Sequence, residues 1–585
     1  MHRFEIWAPF AKQLWVKAGT DIYPMDGPDS RGWWKLDVER AGPGTDYGFL
    51  IDDDAKPYPD PRSHWQPGGV HELSRIYDHE LFRWTDANFQ AIPLASGVFY
   101  ELHIGTFTPE GTFDAAIDRL DYLTELGVTH IELMPVAAYE GRHGWGYDGV
   151  SMYAVHEPYG GPDGLKRLIN AAHGKGLAVV LDVVYNHFGP SGNYSGKFAP
   201  YLIDSHRTPW GGAINLEGEG SDQVRRFLCD NALMWFRDYH IDGLRLDAVH
   251  AFVDRSAIHF LEQLAIEVEA MEATLARRLV MIAESDLNDP RTVTPREAGG
   301  FGIAAQWSDD FHHALFTILC PGETQGYYSD FGSYAQLAKA IEQSFVYDGI
   351  YSNYRKCIHG RSATGVPQHR FLGYIQNHDQ IGNRAVGDRI SHIAGVERAK
   401  VAAAIVFISP FLPMLFQGEE WAASSPFLYF CDHTDPKLAH AVSEGRVRDF
   451  AKFDWDAASI PDPEAEDTFH RSKLRWNELQ LVDHSEVFAW YRCLIRLRRS
   501  SPDLNDGSPA NVRVNCDELA RWLRIHRGRI LVLCNLGEEQ NFAVPKEARV
   551  MLTSKEFTRV SDGLIALPND SVVILEATAH GCKTE

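Results

Sequence analysis

Cysteine is scarce and scattered. The eight in 585 residues (229, 320, 357, 431, 493, 516, 534 and 582) form no CxxC pair and no metal-finger spacing. Thiols so few and so far apart read as reduced, as in a cytosolic chain. Long apolar runs are missing too. The longest, Val401 to Phe416, falls short of the roughly 20 residues that a membrane span needs and carries Pro410 and Pro413. The opening MHRFEIWAPFAK has Glu5 where a signal peptide would need its apolar run, so the expected setting is cytoplasmic and soluble. Basic runs are absent. Lys plus Arg number 56 against 80 Asp plus Glu, a formal charge of −24, and an acidic surface repels phosphate backbones, so nucleic acid is excluded as a partner. The sequence has no repeat at the 20–50-residue periods of solenoids and no low-complexity tract. It shows no metal cluster, no phosphate-binding glycine loop and no Ser–His–Asp elbow. HGRSATG (359–365) lacks a flanking strand and helix and reads as loop. No cofactor or metal is expected, and oligomeric state stays open.

What is present is an ordinary globular composition, 44% apolar and 23% charged, long enough for three or four domains at about 150 residues each. Aromatics reach 12% with 15 Trp, mildly rich, as in sugar binders, although most belong to a core. Residues 1–95 carry short alternating runs (FEIWAP, QLWVKAG, WWKLDVE) separated by turn signals, the pattern of a small N-terminal β-sandwich. Such a domain is either a starch-binding-like module or a packing module. From about residue 97, apolar runs alternate with helical stretches: VFYELHIG, HIELMPV, LAVVLDVVY, GLRLDA, RLVMIAE, AAQWSDD, RFLGYIQNH and FLPMLFQG. Eight strand–helix units mean a doubly wound sheet or a closed (β/α)₈ TIM barrel, placed at residues 96–500 with insertions. Helices are predicted over Phe113–Leu126, Gly164–His173, Gln223–Tyr239, Ile258–Arg277, Val396–Ile408 and Ser485–Arg499, with irregular stretches over 187–220 and 345–370. The tail, 501–585, reads as a C-terminal antiparallel β-domain.

Barrel enzymes place reactive groups at the C-terminal ends of their strands. There the third run ends in Asp182, Asn186 and His187, the fourth in Arg245, Asp247 and His250, the fifth in Glu284, and the seventh in Asn377, His378 and Asp379. A lone acid at a strand end is more often a helix cap, and Arg245 with Asp247 reads equally as a structural ion pair. Carboxylates on strands 4, 5 and 7 would nevertheless converge on one mouth, and a glycosidase needs one ionised carboxylate and one protonated acid flanking its bond.

DVVYNH (182–187), GLRLDAVH (243–250), IAES (282–285) and QNHDQ (376–380) resemble, in order and spacing, the four sequence regions of the α-amylase superfamily. Longer stretches are most similar to its malto-oligosyltrehalose trehalohydrolase family. They are YELHIGTFTPEGTF (100–113), ELMPVAAYEGRHGWGYDGV (132–150), HRTPWGGAINLEG (206–218), QNHDQIGNRAVGDR (376–389) and GEEWAASSPFLYFCDH (418–433). The resemblance implies Asp247 as nucleophile, Glu284 as acid/base and Asp379 as the third carboxylate gripping the ring hydroxyls. It implies that Arg245 orients Asp247 and keeps it ionised, that Asp182 is a buried partner of Arg245, and that His187 and His378 donate to the ring left of the cleaved bond. Tyr147 would stack under that ring, and Asn186 is a remnant of the superfamily's calcium site. His250, Trp145, Trp210, Trp421, Glu217 and Gln380 are further substrate-binding candidates, each Trp being as readily a loop anchor. The implied reaction retains configuration, with the two catalytic carboxyls about 5–5.5 Å apart. It releases trehalose from malto-oligosyltrehalose. Glycogen branching enzyme shares YELHIGTF and WGY, but carries HDE and a double Glu where this chain has HDQ and AES. A plain α-amylase lacks its calcium loop here, and a non-catalytic sugar-binding barrel would have lost the carboxylates.

Overall fold

The structure is a computed structural model, and it describes residues 1–208, 211–450, 460–556 and 560–577. All eight apolar runs are strands: Phe99–Leu102, His130–Leu133, Ala178–Val183, Gly243–Leu246, Val280–Ala283, Ala305–Trp307, Phe371–Gly373 and Leu412–Phe416. They close into one parallel barrel, the last pairing with the first through Phe416 and Glu101. Every residue of these strands but Val280 is buried, because helices cover the outside and side chains fill the inside.

Alternation along the strands divides that burial. Tyr100, Val179, Leu181, Leu244, Met281 and Leu415 face outward into the main core under the helices. Phe99, Val180, Ile282, Ala305, Trp307, Leu372, Leu412 and Met414 face inward and fill the barrel. Gly243 sits at the crowded point of this interior, where an added Cβ would come within 2.7 Å of Val280 and 3.1 Å of Val180.

The helices follow their predicted ranges closely: Gly161–Gly174, Ser221–Asp238, Phe260–Leu275, Val396–Ile408 and Val482–Ser500. The first splits into Phe113–Ile117 and Leu120–Leu126. The two stretches expected to be irregular are corrected. Leu202–Thr208 pairs with Gly211–Ile214, and Asp348–Ser352 pairs with Cys357–Gly360, so each holds a hairpin. HGRSATG therefore begins as a strand and continues as loop.

Before the barrel lie a four-stranded antiparallel sheet and the pair His2–Trp7 with Trp33–Val38. They dock on the barrel through Phe49 against Phe198, through Trp33 donating to Gln223 at 2.8 Å, and through Arg62 paired with Asp230 at 2.9 Å. After the barrel, Val512–Asp517, Trp522–Arg527, Ile530–Asn535, Arg549–Thr553 and Ser571–Glu576 form a five-stranded antiparallel sheet. Its Arg527 donates to the Ile408 carbonyl at 2.7 Å, and Gly507 accepts from the Gln368 amide at 2.8 Å. Both contacts fall where barrel strands begin, on the side away from their C-terminal ends. Among the described residues no helix is long and apolar enough to cross a membrane.

Candidate active site

The period of two that fills the barrel with apolar side chains also builds the site. Two residues beyond Phe99, Val180 and Ile282, on the same inward face, stand Glu101, Asp182 and Glu284. Parallel pairing sets Asp182 beside Arg245. The interior thus changes from an apolar floor to a charged upper layer as the strands approach their C-terminal ends.

Arg245 is fully buried at the centre of that layer. Its Nη1 donates to Asp182 Oδ2 at 2.7 Å and Asp247 Oδ1 at 2.9 Å, and its Nη2 donates to Glu284 Oε2 at 2.6 Å. The guanidinium lies over the Trp307 ring, 4.2 Å from its centre. Asn186 Nδ2 donates to Asp247 Oδ2 at 2.6 Å. Ala248 takes a left-handed backbone (φ 39°), uncommon for a residue with a Cβ, and from there its N–H donates to Glu284 Oε2 at 2.9 Å. Burial raises the Glu284 pKa; Arg245 and the Ala248 N–H oppose the rise and Asp247 adds to it.

A second chain of bonds runs beside this one. His378 bonds Glu101 through Nδ1, and its backbone N–H reaches the same carboxylate at 3.0 Å. Its Nε2 lies 2.8 Å from the Tyr147 hydroxyl, which donates to Asp182 at 2.6 Å, and the Tyr147 ring stacks on the imidazole. Burial works against a charged ring here, but Glu101 and Asp379 outweigh it and push His378 up to about 9. A protonated His378 can donate at both nitrogens, which is what Glu101 and Tyr147 accept. His187 faces the Tyr147 carbonyl at 3.0 Å and Asn186 on its other side, and burial lowers its pKa.

Asp379 is more open than its neighbours, 3.5 Å from His378 Nε2. With Glu284, Trp307 and Gln380 it lines a cavity of about 390 Å³ whose far wall comes from Asp286, Asp309, Tyr327 and the hairpin residues Tyr354 and Arg355. Gln380 Oε1 is buried there without a protein partner. Tyr374 donates to Asp309 at 2.6 Å, and burial raises Asp309 to about 7. His250 is exposed, its Nε2 4.0 Å from Asp286.

Three candidates are corrected. Trp421 is fully buried beside Tyr122 and Trp476, so it is core rather than a sugar platform. Trp145 is also buried, its indole N–H bonded to the Leu428 carbonyl at 2.9 Å and its face against Phe427, so it anchors a loop. Glu217 pairs with the exposed Arg255 and does not line the cavity that Glu284 and Asp379 share. Trp210 lies outside the described residues. Conversely, Glu101, Trp307, Asp309, Tyr327 and Arg355 were not foreseen. Glu101, Trp307 and Asp309 left a signal, the first two as polar or bulky residues at inward positions of apolar runs and Asp309 as an acid closing the run AAQWSDD; Tyr327 and Arg355 left none.

Comparison with known proteins adds the family. The family model described as Alpha amylase, catalytic domain, matches residues 76–201, and a domain of unknown function matches 508–574. A malto-oligosyltrehalose trehalohydrolase of Rhizobium sp. (strain M-11) is 47% identical over 98% of this chain and 97% of its own. That of Mycobacterium tuberculosis (strain ATCC 25618 / H37Rv) is 46% identical over 99% of both. A crystal structure from Salmonella typhimurium superposes with a TM-score of 0.89 at 38% identity, over 98% of this chain and 97% of that one. A branching enzyme of Corynebacterium jeikeium (strain K411) reaches 31% over only 53% of this chain and 48% of its own. With close relatives matched almost end to end, the chain belongs to the malto-oligosyltrehalose trehalohydrolase family of α-amylase-type barrels.

Proposed function

We propose that the chain is a retaining glycoside hydrolase that cleaves the α-1,4 bond next to the terminal trehalose of malto-oligosyltrehalose and frees trehalose. The observation that carries this reading is that one guanidinium bonds both Asp247 and Glu284. Arg245 thus holds both carboxyls at one point of the mouth, and the retaining reaction proposed here expects them about 5–5.5 Å apart, so that Asp247 can attack directly. Both donors to Glu284 go to Oε2, so its acid proton is carried by Oε1. That proton passes to the glycosidic oxygen while Asp247 forms a bond to the anomeric carbon and trehalose leaves. Water then gives a proton back to Glu284, its oxygen attacks the same carbon, and the Asp247 ester breaks.

The acid stands on the side of the leaving group. The cavity beside Glu284 therefore takes the trehalose, with Asp286, Asp309, Gln380 and Arg355 as its polar contacts. Tyr147, His187 and His378 hold the glucosyl ring on the other side, and Asp379 reaches its hydroxyls. His250 sits at the rim. Support for a cytoplasmic setting comes from the seven described cysteines, all free thiols.

The test is product analysis with maltopentaosyl trehalose and amylose in parallel. Free trehalose is expected, falling by at least about 10³-fold in Asp247→Asn and Glu284→Gln. New α-1,6 branches in amylose without trehalose would make it a branching enzyme, and no product from either would leave a sugar-binding barrel.

A further inference from the structure

Behind the mouth, one cluster combines a thiol, an imidazole and a carboxylate. Cys431 and His433 lie on the segment that follows the last barrel strand, and Glu464 is brought to them from 31 residues beyond His433. Cys431 Sγ is 3.1 Å from Glu464 Oε1, and His433 Nδ1 is 2.7 Å from the same oxygen. The other carboxylate oxygen accepts the His433 backbone N–H at 3.0 Å, and the Cys431 N–H donates to the Pro463 carbonyl at 3.0 Å. Sulfur, nitrogen and oxygen all lie within 4.8 Å of one another. The His433 side chain is 5% exposed and that of Glu464 12%, and among the described residues neither Lys nor Arg pairs with Glu464.

This arrangement differs from an ordinary buried acid. Two donors of different softness converge on a single oxygen, and backbone already orients the carboxylate from behind, as outer partners do for ligating groups. A mixed S, N, O set suits a borderline cation such as Zn²⁺ or Co²⁺ and not Ca²⁺ or Mg²⁺, which take oxygen donors. Beside it, Cys431, Asp432 and His433 join Asp148 and Glu140 in lining a pocket of about 10 Å³, room for one water.

We propose that Cys431, His433 and Glu464 form a binding site for one divalent cation of the zinc class, with water as fourth ligand. Binding releases the thiol proton to solvent as the sulfur–metal bond forms. The ion would pin the segment whose Leu428 carbonyl holds Trp145, two residues before Tyr147. It would thus brace the mouth without touching substrate.

The test uses the full chain stripped with EDTA and titrated with Co²⁺. One equivalent is expected to develop a thiolate-to-cobalt absorption band, which Zn²⁺ removes stoichiometrically. Cys357→Ser, at the exposed cysteine, keeps the band; Cys431→Ser loses it. Glu464→Gln and His433→Gln weaken cobalt binding by at least about tenfold. These two also carry the test if Cys431→Ser fails to fold. No saturable band in the wild-type chain, a band that survives Cys431→Ser, or undiminished binding in both other variants overturns the proposal.

Discussion

Arg245 distributes one guanidinium among Asp182, Asp247 and Glu284 while its face rests on Trp307. No acid in this trio can be altered without moving the others, so single substitutions there should not add: Asp182→Asn combined with Glu284→Gln costs less than the sum of the two in log kcat/KM. Glu101 acts one residue further out. His378 titrates near 9 in the folded protein and near 6.5 when free. Its charge therefore contributes stability in full below 6.5, and that contribution is lost as pH rises through about 9. In Glu101→Gln the alkaline limb of kcat/KM is expected at lower pH, measured from about pH 6 to pH 10. An unmoved limb would remove Glu101 as a positioning residue. Trp421→Ala should lower stability by about 3–5 kcal/mol with KM unchanged, read by denaturant unfolding and kinetics. The acids at strand ends are legible in the sequence because polar residues closing apolar runs stand out. The Trp residues are not, because whether an indole stacks on sugar or on Tyr122 depends on loops brought together from far along the chain.

At the scale of elements, the strands were legible because burial on both faces leaves continuous apolar runs, and Gly243 marks the point where neighbouring strands leave no room for a side chain. The Asp348–Ser352 and Cys357–Gly360 hairpin was hidden because it stands at the rim, with Ile350, Tyr351, Tyr354 and Ile358 exposed, so no core-facing alternation announces it. That hairpin supplies Arg355, paired with Asp286 at 3.0 Å across the cavity wall. Arg355→Ala is expected to raise KM for malto-oligosyltrehalose by about 10- to 100-fold, with a smaller change in kcat. An unchanged KM would detach the hairpin from the trehalose side.

Over the whole molecule, sheets before and after the barrel are fastened by buried polar contacts as well as apolar packing. Arg527 is fully buried and donates to the carbonyls of Ile408, Asp503, Leu504 and Asp506. Removing its side chain leaves those acceptors without a donor, so Arg527→Ala should cost about 2–4 kcal/mol while activity per folded molecule stays the same, checked by calorimetry beside trehalose release. The final sheet meets the barrel where its strands begin, whereas the sugar enters where they end. The protein is therefore two-faced in a practical sense. With the exposed Cys357 replaced by Ser, a chain fixed to a solid support through cysteines introduced on the outer surface of that last sheet would keep its mouth toward the solution and turn over malto-oligosyltrehalose as it does when free.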